Sequence, residues 1–379
     1  MQRPRHRCAS FVVLLFVGSS SAQPPPPLFR LPATDSLYEA GKIHGASASL
    51  LIRGFLQIEE INNLRFFVHN ATVGRNAFAQ LRRENEEQFP QFAEEMEGIA
   101  AGANVSLQEI WMINLLQELE SLESQQGQIA NRFEHCTDIM AKQSTSLFHG
   151  HNEDWTDAVR PFVYFVAYTA SAKANFSSCA GFCYPGMIIG NAITFNEHGL
   201  AYTQNALFPI KSAASGSASN FVQRLVMDQT TLQGAINQLT VSNQPLGFSL
   251  NLISVKERLG ANVEVYGAGG QHSVQVLDTN LSHMNLYKRL EVKSNPYFIP
   301  STVHRQAEID RKAAVKGKAD ILALLGDTTD AAEPIYRTTH TLVTYLIDGV
   351  TGDIHVWANS NPKESEPVYT WNIFSFFAR

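Results

Sequence analysis

The sequence predicts an α+β protein in which helices cover the faces of antiparallel sheets. Two patterns carry that expectation. Up to about residue 125, apolar residues recur at helical spacing between polar runs. From residue 136 the chain turns to short alternating segments punctuated by Gly, Asn and Asp, interrupted by paired helical stretches. Length and composition set the frame: 379 residues, 44% hydrophobic, 17% charged and a net charge of −6. That is enough chain for one large domain or two smaller ones. It is not basic enough for nucleic acid, and no useful Lys/Arg cluster follows residue 7.

The elements follow in order. Residues 37–55 and 64–89 are expected helices, as are 89–100, with a stripe through Phe92, Met96 and Ile99, and 107–122. Ser106 caps the last of these, with Glu109 completing a capping box. Residues 121–130 are polar and loose, a candidate linker. Strands are expected at 137–142 and 147–152, then at 162–171, 187–195 and 200–205. Helices at 220–227 and 231–239 precede strands at 248–255, 262–266 and 272–277. Helices at 301–315 and 318–325 precede a last hairpin, 338–347 with 353–357.

The N-terminus has the order of a targeting signal: Arg3, Arg5 and Arg7, an apolar core from Phe11 to Val17, then Ser20, Ser21 and Ala22. A buried N-terminal strand is the plainer alternative. The apolar run is too short to span a bilayer, and no later run reaches the roughly 20 residues required. Gln23 to Pro27 reads as a stiff polyproline spacer. Sequons at Asn70, Asn104, Asn175 and Asn280 fit a glycoprotein of the secretory pathway, secreted or in a lysosome-like lumen.

In such a compartment Cys179 and Cys183 can close a local disulfide, and Cys8 departs with the signal. Cys136 is then an odd thiol, either a reactive nucleophile or an inert buried cysteine. The hairpin at 137–152 brings Cys136 near Asp154, and a thiol beside a carboxylate begins a nucleophile site. His149 and His151 share a strand face, but no further pair completes a ligand set, so neither metal nor cofactor is expected.

The motifs Phe89-Pro90, Glu97-Gly98-Ile99-Ala100-Ala101-Gly102, Cys136-Thr137, Gly150 to Trp155, Phe195 to Leu200, Gln204 to Leu207 and His283-Met284-Asn285 occur in one register along nearly the whole chain. In them the sequence resembles the N-terminal-nucleophile (Ntn) hydrolases of the acyl-CoA:isopenicillin N acyltransferase type, peptidase family C45, which includes the insect N-β-alanyl-dopamine hydrolase. The resemblance implies a four-layer αββα sandwich, made as a precursor that cuts itself at His135–Cys136. It divides the chain into a signal (1–22), a helical segment that stays bound after cleavage (23–135) and a catalytic chain (136–379).

It also implies roles. Cys136 is the nucleophile, Asp154 orients the new α-amino group, and Asn285 stabilises the oxyanion. Asn205 falls at a second oxyanion or substrate contact. Arg305 falls at a substrate-side arginine, with Thr302 one turn earlier. The sequence departs from relatives at His135, where the best-known members have Gly, and at His151, where bile-salt and penicillin V hydrolases carry Arg. The resulting expectation is a secreted amide hydrolase or acyltransferase for a small N-acyl amine of the β-alanyl type. An amidase for N-acyl amino acids, lipids or bile acids is the alternative. A non-catalytic binding protein keeping the fold is the reading from another class.

Overall fold

The computed structural model describes residues 23–126, 136–241, 243–312 and 315–378. The targeting segment with Cys8, the tract 127–130 and His135 lie outside the described residues. The chain opens with strand β1 (Leu28–Thr34) and then seven helices: α1 (Leu37–Ser47), α2 (Ser49–Phe55), α3 (Glu59–Asn70), α4 (Thr72–Gln88), α5 (Pro90–Ala103), α6 (Leu107–Asn114) and α7 (Leu116–Gln125). Ser106 caps the helix as expected, the Glu109 N–H donating to its Oγ at 3.2 Å, while the Glu109 carboxylate accepts from the Ser106 hydroxyl at 3.0 Å. The helix it opens breaks at Leu115 instead of running through. Glycines let α1 and α5 touch backbone to backbone: a Cβ at Gly98 would lie 2.2 Å from the Tyr38 carbonyl oxygen.

The hairpin β2 (Thr137–Lys142) and β3 (Leu147–Asp154) comes next, then β4 (Tyr164–Ala170), β5 (Cys179–Cys183), β6 (Thr194–Asn196) and β7 (Leu200–Leu207). Helices α8 (Ser219–Val226) and α9 (Leu232–Leu239) precede β8 (Gly247–Ser254), β9 (Leu259–Tyr266), β10 (Gln271–Val276) and β11 (Leu281–His283). Helices α10 (Ile299–Arg311) and α11 (Lys318–Leu325) lead to β12 (Thr341–Asp348), β13 (Asp353–Ala358) and β14 (Tyr369–Asn372).

The strands form two sheets. One has eight strands in the order β1-β4-β5-β6-β7-β8-β9-β10; the other has six, β11-β2-β3-β12-β13-β14. All pairings are antiparallel except β1 with β4. Strand alternation then sorts the faces. On β7, Tyr202 donates to the Gln223 carbonyl of α8, while Thr203 on the opposite face reaches Asp138 of β2. The two sheets therefore face each other there. On β3, a Cβ at Gly150 would lie 2.3 Å from Ile321 of α11, so that face lies under the last helices. Among the described residues, no helix is long and apolar enough to cross a membrane.

Three expectations are corrected. Residues 187–193 are a buried loop, not a strand, since Gly186 (φ +82°) and Gly190 (φ +145°) break the extended path. The N-terminal part is not purely helical, because β1 pairs with β4. Cys179 and Cys183 are not joined. They stand at opposite ends of β5, where four residues of extended chain separate the Cα atoms by about 13 Å, well beyond the reach of a disulfide.

Candidate active site

The hairpin register decides what meets Cys136. Thr137 pairs with Asn152 and Asp138 with His151, so Cys136 stands across from Glu153. Its thiol approaches Glu153 Oε1 at 3.8 Å, and Tyr184 donates to the same oxygen at 2.7 Å. His151 Nε2 lies 3.0 Å from Glu153 Oε2, and its Nδ1 lies 2.8 Å from Asp138 Oδ2. Asp138 Oδ1 is 2.6 Å from His149 Nε2 and also accepts from the Thr203 hydroxyl. A continuous chain thus runs from the thiol through Glu153, His151 and Asp138 to His149, every member no more than 1% exposed.

Burial by itself would drive His151 neutral. The Asp138 charge and the hydrogen bonds from Asp138, Cys136 and Glu153 outweigh it and hold the imidazole well above its ordinary pKa. Burial likewise opposes ionisation of Asp138, and the two histidines reverse that, keeping its carboxyl far below the usual range. The charged form of His151 is thus favoured by Asp138 on one side of the ring, with Glu153 on the other. The donor atoms of Cys136, His151 and Glu153 lie within 4.8 Å of one another, as a metal site would require. Both imidazole nitrogens of His151 are already engaged with carboxylates, so the cluster is complete as a hydrogen-bond chain.

Asp154 points to the opposite face of β3 from Glu153. Arg337 donates to its Oδ2 at 2.9 Å, while buried Oδ1 has no hydrogen-bond partner. Arg305, on α10 and fully buried, ties the pieces together. Its Nη1 donates to the Cys136 carbonyl and to Thr137 Oγ1, both at 2.7 Å, and its Nη2 donates to Asn285 Oδ1 at 2.9 Å. Burial, then the neighbouring Arg337, pulls the guanidinium down to about 9, with Asp154 and Cys136 opposing; it stays charged at neutral pH. Thr302, one turn earlier, is buried with its hydroxyl unpartnered.

Asn285 donates one N–H to the Ala206 carbonyl at 3.1 Å, leaving the other for a ligand. Ala206 adjoins Asn205, whose amide is oriented by a relay. Arg289 donates to Asn262 Oδ1 at 2.5 Å, Asn262 to Asn251 Oδ1 at 2.7 Å, and Asn251 to Asn205 Oδ1 at 2.9 Å. The relay ends on Asn205 Nδ2, a buried donor with no partner.

The structure thus gathers Cys136, Asn285 and Arg305 around one backbone, with His151 behind Glu153 and Asn205 beside Ala206. Glu153, Asp138, Tyr184 and Arg337 were not anticipated. Glu153 was within reach: the expected hairpin already sets it opposite Cys136 and on the face of His149 and His151. Asn70, Asn104 and Asn175 are exposed, whereas Asn280 is half-buried and its amide nitrogen donates to the Val315 carbonyl.

Comparison with known proteins adds a lineage to this geometry. The chain is 20% identical over 357 residues to the beta-alanyl-dopamine/carcinine hydrolase of Drosophila melanogaster, covering 87% of this chain and 92% of that one. Two variant forms of the conjugated bile acid hydrolase from Clostridium perfringens overlay with a TM-score of 0.37 at 11% and 12% identity. They span 62% of this chain and 96% and 97% of theirs. The profile of the acyl-coenzyme A:6-aminopenicillanic acid acyl-transferase family matches residues 140–362, and the chain belongs to that family.

Proposed function

We propose that this is a secreted, self-processing amide hydrolase or acyltransferase, an Ntn hydrolase whose four αββα layers carry the nucleophile Cys136 between the sheets. The observation that carries the reading is the Arg305 junction. One buried guanidinium fixes the carbonyl of a buried thiol residue and the side chain of an amide donor, Asn285. Cleavage before Cys136 would separate residues 23–135 from 136–379 as a bound pair. It would create an α-amino group, of pKa near ~8, that can take the thiol proton. Asp154 Oδ1 is the acceptor available to orient that amine. Cys136 then attacks the substrate amide, Asn285 and Asn205 donate to the oxyanion, and the acyl thioester passes to water or to another amine.

The substrate is a small N-acyl amine. The Drosophila relative is named for β-alanyl-dopamine and carcinine. Arg305 spends its hydrogen bonds on Cys136, Thr137, Asn285 and Ser301, which argues against its holding the carboxylate of an N-acyl amino acid. Its place is behind the nucleophile.

Intact mass and N-terminal sequencing test the maturation. The wild type should yield a chain beginning at Cys136, and Cys136→Ala a single chain. Active wild-type protein with residues 135 and 136 still joined refutes it. Hydrolysis of β-alanyl-dopamine, an N-acyl amino acid and an N-acylethanolamine tests the substrate class; cleavage of the last alone makes this a lipid amidase. Asn285→Ala should lower kcat about 10²–10³-fold in cut protein. If the protein is secreted, glycan should be found at Asn70, Asn104 or Asn175 and not at Asn280.

A further inference from the structure

Self-cleavage faces a problem that later turnover does not. Before the cut, the nitrogen of Cys136 is an amide and cannot accept a proton, so the thiol needs another base. The carboxylate that the thiol touches is Glu153, at 3.8 Å. Tyr184 and His151 lie against both of its oxygens, at 2.7 and 3.0 Å, which fixes it as an acceptor aimed at the sulfur.

We infer that Glu153 is the general base of the maturation step, used once per molecule and then superseded by the α-amino group it helps to release. The inference rests on the reading that the chain cuts itself. The Cys136 S–H proton passes to a Glu153 carboxylate oxygen. The thiolate adds to the carbonyl carbon of residue 135. The 135–136 C–N bond then breaks while the new C–S bond remains, and the Glu153 carboxylic acid returns the proton to the departing Cys136 nitrogen. Water hydrolyses the thioester, leaving a carboxyl terminus on residue 135 and restoring the thiol.

The energetics suit that single use. A carboxylate is a weaker base than a thiolate, a mismatch that leaves only a small fraction in thiolate form at any moment. A step that happens once tolerates this. Repeated turnover is better served by an amine near ~8. The imidazolium of His151 beside the cluster offsets part of the mismatch, since it pairs with the thiolate as Glu153 is neutralised. Asp154 lies on the other strand face, and so is available to serve the amine without competing for the thiol.

The test follows full-length precursor by intact mass over time, for wild type, Glu153→Gln, Glu153→Asp and Cys136→Ala. Turnover of β-alanyl-dopamine is expressed per cut molecule. Glu153→Gln should slow cutting at least tenfold and Glu153→Asp less. In the molecules that are cut, turnover should fall by a smaller factor than cutting does. A second form of each variant carries a site-specific protease sequence ending at residue 135, and external cutting should restore turnover to Glu153→Gln, which also shows that it folds. Cutting of Glu153→Gln at the wild-type rate overturns the inference. So does an equal loss of cutting and of turnover per cut molecule, because Glu153 would then serve both stages. A wild-type chain that hydrolyses substrate while whole defeats the self-cleavage reading instead, an outcome recognisable before any variant is made.

Discussion

Two buried histidine clusters, one on each sheet, show how differently the fold treats the same side chain. His44 of α1 lies against β4, its ring nitrogens 2.7 Å and 2.6 Å from the hydroxyls of Tyr168 and Tyr164, with the Cys183 thiol 3.9 Å away. His151 of β3 lies between Asp138 and Glu153. Both are completely buried. Burial pushes His44 down to about 3, so it is a neutral spacer between phenols. The same burial acts on His151 and is overruled by Asp138. Burial therefore does not settle charge; an adjoining carboxylate does. Only the charged cluster reaches the Cys136 thiol.

The sharpest way to break the contrast is Asp138→Asn. It strands a buried imidazolium and should cost about 3–5 kcal/mol, read from urea denaturation of the uncut Cys136→Ala background. A cost under ~1 kcal/mol would mean that the two clusters are alike. His44→Leu removes a neutral partner from two phenols and should cost less, about 1–3 kcal/mol.

Read per unit of pH, a further effect is a tilt in stability, opposite in origin at the two sites. The folded-state pKa of His44 is depressed. As pH falls below the unfolded value near ~6.5, the unfolded chain gains a proton that the folded chain refuses, so stability drops by up to about 1.4 kcal/mol per unit towards pH 3. That of His151 is raised. Its contribution is full below ~6.5 and is lost as pH rises towards its folded value. Comparing the pH dependence of the denaturation midpoint in His44→Leu and wild type isolates the first. Ring-proton NMR should show His44 not titrating between pH 8 and pH 5, while Tyr164 and Tyr168, both pushed well above their ordinary range, stay protonated throughout.

Much of this was legible in the residues, and the gaps have physical causes. The hairpin at 137–152 and the helix at Lys318–Leu325 follow from alternation and periodicity, and their bounds agree closely with the structure. Strand β1 was missed because Pro32 sits inside it. Proline is tolerated there since the strand lies at the sheet edge, and the register slips between Arg30 and Ala33. Residues 187–193 look like a strand because they are apolar and buried, and hydrophobicity alone does not separate a buried loop from a buried strand. Cys136, Asn285 and Arg305 were named through family resemblance, and the structure brings the three together. Arg337 and Tyr184 were not, since their approach depends on how distant segments fold back.

Strand β1 and the residues before it also have a consequence for how the molecule comes apart. Asn359 donates to the carbonyls of Gln23 and Pro24, Tyr369 to that of Pro26 and Arg30 to that of Phe376. The first residues of the described chain are therefore fastened to its last. A cut before Cys136 would leave β1 and seven helices held without a covalent bond, and unfolding would change molecularity, from one chain opening to two chains parting. The melting temperature of the cut protein should then rise with its concentration, while that of Cys136→Ala stays constant.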